Sequence, residues 1–288
     1  MKYLPGKSFI TWLTATAVAV SLNATIAAED NIATDVLVPT KNTPLTAEEV
    51  MIRVDERYTG DTRRQSGKLI LIDKNKNQRK REFIEYSKSY GRDDKTISYV
   101  VSPAEVRGTS FMSYEWKERG RDDETWLYLP QLKKVKRMAT TDNAGYFLGS
   151  DFTYGDFIGL EVENFDYEFA SEEHSNDHWV VVATPKKDIE KSVIEEYGYK
   201  RVKYWVDKNK FINMKAQYWL NEGKKVKYMT ASDLKETDGI WTVQKLQMVL
   251  TQGGKILHAS VYQLDDIQYN IQIDDEMFTT YTMEREIN

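Results

Sequence analysis

From about residue 60 onward, apolar and polar residues alternate along most of the chain, a period of two that predicts strands. The C-terminal half carries the pattern most clearly. Val202, Tyr204 and Val206 share a face, and Ile212, Met214, Ala216, Tyr218 and Leu220 alternate strictly. Turn sequences at Asp207–Lys210, Asn221–Gly223, Asp238-Gly239 and Gly253-Gly254 separate these from Val226-Tyr228-Thr230, Trp241-Val243 and the run from Ile256 to Leu264. Earlier, Lys68–Ile72, Arg79–Tyr90, Ile97–Val101 and Phe111–Trp116 predict further strands, with turns at Asp73–Lys76 and Pro103–Arg107. Phe165–Phe169 and His178–Ala183 form another strand pair, and 185–196 a loop or short helix. Only one early stretch is plainly helical. Thr46 and Glu49 have the spacing of a capping box, and Val50, Val54 and Tyr58 recur at helical spacing, so a helix is predicted over 46–58. The tetrapeptide Asp-Lys-Asn-Lys occurs at 73 and at 207, which is matched turn chemistry and not a repeat.

So long a meander with so few helices cannot stay flat. It is expected to curl into an unclosed antiparallel barrel, its concave face covered by the helical pieces at 46–58, 151–160 and 274–279. Where side chains do not fill such an interior, a ligand cavity remains. The stretch Trp126–Phe157 is the one around which the rest is arranged. It holds a short strand from Trp126 to Leu129, Pro130, a basic strand ending at Arg137, and a loop. Gly145–Gly149 and an aromatic segment that Ser150 and Asp151 can cap then follow.

Each candidate site residue has two readings. Trp126 and Tyr128 face one side of their strand, as cavity wall or as part of a strand covered on both sides. Arg137 could pair with Asp151 or a lipid headgroup, or belong to a solvated basic strand. Phe147, Phe152, Tyr154 and Phe157 line a cavity or form ordinary core. His174 and His178, four apart among acidic residues, superficially suggest a metal, but Ser175-Asn176-Asp177 between them reads as a hairpin tip. His258 reads as a structural histidine in an alternating strand. Gly149-Ser150-Asp151 lacks the strand–elbow–helix context of a hydrolase nucleophile. No catalytic pair, cofactor motif or metal site is expected.

Composition narrows the classes. The chain has 288 residues, 40 Lys+Arg and 45 Asp+Glu, a mildly acidic balance that makes no case for nucleic acid. Absence of cysteine removes disulfides, thiolate chemistry and a lipidated N-terminal cysteine together. Lys2 and Lys7, the apolar run Phe9–Leu22 and the small residues Ala24–Ala28 make a signal-peptide pattern over 1–28, followed by a polar leader over 29–44. A single domain over 45–288 is then expected, exported and untethered.

The opening helix LTAEEVMIRVDERY, the W-x-Y-x-P hairpin ending at Arg137, FLGSDFTYGDF, the run from YWVDKNKF to TASD and the closing DDEMFTTYTMERE resemble the LolA-like lipoprotein-sorting proteins. The resemblance covers nearly the whole mature chain. It implies an unclosed β-barrel with an α-helical lid and an apolar cavity for acyl chains. It also implies a monomeric periplasmic carrier of lipid or lipoprotein, working beside an inner-membrane exporter of the RND superfamily. In the shorter carriers an arginine on an early strand latches the lid, and Arg63, Arg64, Arg79 and Arg81 are the candidates here. A lipid-modifying hydrolase using Ser150, and a non-transporting exporter subunit, are the alternatives.

Overall fold

The computed structural model describes residues 44–118, 120–170 and 175–285. The expected signal peptide and nearly all of the leader, like His174, lie outside them. Helix α1 (Ala47–Asp55) starts at the capping box: Thr46 Oγ1 accepts the Glu49 N–H and the Glu49 carboxylate accepts the Thr46 N–H. The helix stops three residues before Tyr58, which is exposed and off its apolar face; Val50 and Met51 carry the burial.

The strands follow in hairpin order: β1 (Thr62–Ile72), β2 (Gln78–Tyr90), β3 (Asp93–Ser102), β4 (Ser110–Glu115), β5 (Glu124–Leu129) and β6 (Lys134–Arg137). After the central segment come β7 (Phe165–Phe169), β8 (His178–Pro185), β9 (Tyr199–Asp207), β10 (Asn213–Leu220), β11 (Lys225–Thr237), β12 (Ile240–Gln252) and β13 (Lys255–Tyr269). They make one antiparallel sheet in the order β6-β5-β4-β3-β2-β1-β13-β12-β11-β10-β9-β8-β7. The first and last strands pair at its centre, so its two free edges are β6 and β7, consecutive in the chain. A bulge at Ser66/Gly67 bends the central pair, and at Gly67 a side chain would meet the Gln263 carbonyl at 2.2 Å.

The sheet wraps around the larger of two core clusters. Leu69 of β1, Phe83 of β2, Phe111 of β4, Val181 of β8, Val202 of β9, Met248 of β12 and Tyr262 of β13 join Val50 of α1 in one cluster. This is the expected unclosed antiparallel barrel. Residues 138–164 carry the chain from edge β6 to edge β7 across its concave face. They include the five-residue helix α2 (Tyr154–Ile158); a third helix, α3 (Glu190–Tyr197), lies in the β8–β9 connection.

Two expectations about this packing are corrected. The C-terminal segment does not cover the concave face. Ile273, Phe278 and Met283 pack on the other side of the sheet against Ile97, Tyr99 and Met112. Tyr99 Oη donates to the Thr282 carbonyl at 3.1 Å and Ser110 Oγ to that of Met283 at 2.8 Å. In β11, too, the inward residues are Lys227, Met229 and Ala231, not Val226, Tyr228 and Thr230. The alternation is in the opposite phase because a lysine occupies an inward position.

Candidate functional site

The central segment forms a flap whose aromatic rings interlock over the concave face. Phe147 and Phe157 have centroids 4.6 Å apart, Phe152 and Phe157 5.7 Å, and Phe147 and Tyr154 5.3 Å. Phe157 reaches Tyr262 of β13 at 5.5 Å, and Tyr154 packs on Phe111 of β4. Four of the expected site residues, Phe147, Phe152, Tyr154 and Phe157, are therefore together. Helix α2 is capped by Thr153 in a second capping box, with Asp156 accepting the Thr153 N–H at 2.8 Å. Ser150 and Asp151, expected as its caps, sit upstream: Ser150 Oγ donates to the Phe147 carbonyl and accepts the Phe152 N–H.

Beneath the flap lies a cavity of about 360 Å³. Leu69, Phe83, Phe147, Phe157, Leu246 and Tyr262 form its apolar wall. Polar side chains line it as well, among them Arg57, Arg63, Gln65, Arg81, Glu85, Asp94 and Glu115. Gln65 Nε2 donates to Glu85 at 2.6 Å and to Tyr262 Oη at 3.0 Å, and Arg63 is 3.5 Å from Glu85. Nε of Arg63 and a terminal nitrogen of Arg81 are buried with no protein partner. The interior is amphipathic, whereas an apolar one was expected.

Trp126, Tyr128 and Arg137 are not part of this group. Register sets Trp126 opposite Met112, so Trp126 and Tyr128 face outward, packed with the C-terminal segment. Arg137 is exposed and pairs with Glu124 at 3.1 Å, not with Asp151. Asp151 is almost fully buried at the far end of the flap, where it accepts a hydrogen bond from Ser260 Oγ at 2.7 Å and meets His258 Nδ1. His258 thus joins the flap to β13. Among the candidate latch arginines, Arg63 and Arg81 line the cavity, Arg64 pairs with Asp266, and Arg79 lies beside Asp151 in a second, smaller hollow.

The flap's principal tie is one that the sequence pattern concealed. Lys227 of β11 is fully buried; its Nζ donates to Tyr199 Oη at 3.0 Å and lies 3.7 Å from Asp156 of α2. Tyr199 Oη donates to Asp156 at 2.7 Å. Burial pushes the lysine pKa down, opposed by Asp156 and Asp151. Neutralisation by Asp156 is what makes a lysine tolerable here.

Glu115, at the end of the cavity near Asp94 and Asp123, has its pKa pushed from 4.5 up to about 8, chiefly by burial and then by Asp123 and Asp94. The folded protein keeps a proton that the unfolded chain has released over this interval, so this group's contribution to stability falls as pH rises from 4.5 to about 8. Glu115→Gln should therefore gain on the wild type between pH 5 and pH 8, by on the order of 1–3 kcal/mol. Thermal unfolding of both proteins at the two pH values checks this; a gap that stays constant contradicts it.

Among the described residues no cluster of His, Cys, Asp or Glu could hold a metal. His178 shares a hydrogen bond with Ser175, at the expected hairpin tip.

A family model described as “uncharacterized protein-like” matches residues 92–285. The chain belongs to this family. The same fold is seen in solved structures. A DUF1329 family protein from Desulfovibrio piger superposes with a TM-score of 0.72 at 24% identity, covering 82% of this chain and 97% of that one. A domain from Vibrio parahaemolyticus, described as an outer membrane lipoprotein-sorting protein, gives 0.72 at 24% identity over 83% and 98%. A LolA superfamily protein from Nitrosomonas europaea gives 0.62 at 17% over 83% and 100%. The chain thus shares the fold of these proteins, as the sequence resemblance implied. No curated protein matches the chain.

Proposed function

We propose that this protein is a periplasmic carrier that shelters an amphiphilic lipid, or the lipid part of a lipoprotein, between membranes. The observation that carries this reading is the cavity beneath the flap, lined by apolar and charged side chains together. Its volume of about 360 Å³ is within the usual range of small-molecule sites. The apolar wall takes the acyl chain. Moving a chain of about 16 carbons out of water is worth roughly 12 kcal/mol, so binding needs little polar help, but release needs an equally apolar acceptor. Arg63, with a buried nitrogen still free to donate, takes the polar head. The signal-peptide pattern and the lipoprotein-sorting fold support the location, and handover beside an inner-membrane RND-superfamily exporter is part of the same proposal.

A hydrolase reading has no such support. The Ser150 hydroxyl is engaged with backbone groups in the flap, and His258 meets a carboxylate, not a serine.

Delipidated protein should bind a fluorescent fatty acid, and Leu246→Trp, which fills the cavity, should weaken binding at least about tenfold, about 1.4 kcal/mol. Arg63→Met should weaken a charged probe more than its methyl ester. Unchanged affinity in Leu246→Trp would place the probe outside the cavity and remove this reading.

A further inference from the structure

The antiparallel register sets five adjacent turns side by side at one end of the sheet, 73–77, 103–109, 130–133, 221–224 and 253–254, with the β8–β9 connection beyond them. Ile72 pairs with both Gln78 and Ala259, Ser110 with Tyr128, and Lys225 with Gln252, so these turns share a rim. Neighbouring turns touch: Gln131 Nε2 donates to the Glu105 carbonyl and Gln252 Nε2 to that of Gly223, each at 2.9 Å. Although the chain is acidic overall, and the β8–β9 connection carries Asp188, Glu190 and Glu195 beside Lys187 and Lys191, this stretch of the rim is basic. Lys74, Lys76, Arg107, Lys133, Lys224 and Lys255 are all exposed on it, against Asp73, Glu105 and Glu222. The carboxylate of Asp73 is occupied by the N–H groups of its own turn. The opposite end carries exposed Asp55, Glu56, Asp61, Glu118, Asp122 and Asp238.

Two of the most exposed large apolar side chains also stand on the basic rim. Leu132 at the tip of the β5–β6 hairpin is 69% exposed, and Ile256, just beyond the β12–β13 turn, is 66% exposed. Strands are spaced by about 4.8 Å, so adjacent hairpins are separated by roughly a Debye length and their charges act together on a common partner. Positive charge with protruding aliphatic tips is what an anionic bilayer surface attracts: the charges meet lipid phosphates while the tips enter the interface.

We propose that this rim docks on the surface of an anionic lipid bilayer through its lysine-bearing turns, with Leu132 and Ile256 entering the interface. The rim also holds Gly149 and Asp151 of the flap, beside Arg79 and Asn77 around a hollow of about 270 Å³, so docking brings the membrane to one end of the flap. The contact needs no cargo and stands apart from the carrier reading.

Flotation of the described domain's full chain, after signal removal, with two vesicle types tests this: phosphatidylcholine alone, and phosphatidylcholine mixed with phosphatidylglycerol. The wild type should float with the mixed vesicles only, less as salt is raised. The combined variant Lys74→Glu, Lys76→Glu, Lys133→Glu, Lys224→Glu should lose at least about a hundredfold in vesicle affinity. Leu132→Ser with Ile256→Ser should lose binding severalfold, and Asp122→Lys on the opposite end should leave it in place. All positions are exposed, and unchanged thermal unfolding will show that the variants are folded. Failure of the wild type to float, equal binding to both vesicle types, or full binding by the charge-reversed variant would each overturn the proposal. A rim that serves a protein partner instead gives the first of these results.

Discussion

Lys227→Met is expected to cost about 3–5 kcal/mol of stability, because it leaves Asp156 buried without its cation. That is a large share of the roughly 5–15 kcal/mol that holds a typical domain. The side chains of Lys227 and Asp156 are 1% and 6% exposed, so neither charge can turn to water while the flap is closed. Asp156→Asn added to Lys227→Met should recover part of the loss, since the uncompensated carboxylate is then gone. The cycle of single and double variants by chemical denaturation checks the coupling. Strict additivity would mean that the pair does not tie α2 to the sheet. The same lesion should loosen the flap without touching the cavity wall, so Lys227→Met should exchange a bound probe faster than the wild type.

Phe152→Ser is the second large effect. Phe152 is 3% exposed, belongs to the main core, and packs on Phe157. It does not line the cavity under the flap, which Phe147 and Phe157 do. Truncating a buried phenylalanine costs about 3–5 kcal/mol, and the serine hydroxyl adds a polar group there. Stability should therefore fall steeply, with probe affinity little changed in the fraction still folded. Phe157→Ala should show the reverse weighting, a larger loss of affinity for a smaller loss of stability. Thermal unfolding and probe titration on the same preparations separate the two; if Phe152→Ser were stable and blind to the probe, Phe152 would be cavity wall after all.

Turn chemistry made most of the fold legible in advance. Asp238-Gly239 and Gly253-Gly254 mark hairpins that occur where expected, and Val202, Tyr204, Val206, Ala216 and Tyr218 are buried as their alternation requires. What escaped were inward polar residues. In β1, Gln65 is in phase with Leu69 and Leu71, so extending the alternation four residues upstream would have placed it inside. Lys227 breaks the pattern outright, and only its partners across the sheet and on the flap explain its burial. The Thr153 cap was readable as well, but with aspartate at the third helical position in place of glutamate it falls outside the usual template. Trp126 and Tyr128 could not be assigned to a face from β5 alone, because apolar residues occupy both sides of it. The C-terminal segment that covers them has no period of its own.

The central claim is that the cavity beneath the flap holds an amphiphile. Mass spectrometry of organic extracts from protein purified without detergent tests it most directly, with Leu246→Trp prepared in parallel. The account predicts a lipid recovered in near-stoichiometric amount from the wild type and strongly depleted in Leu246→Trp. Equal recovery of the same lipid from both proteins, or none from the wild type while it is folded, would contradict it.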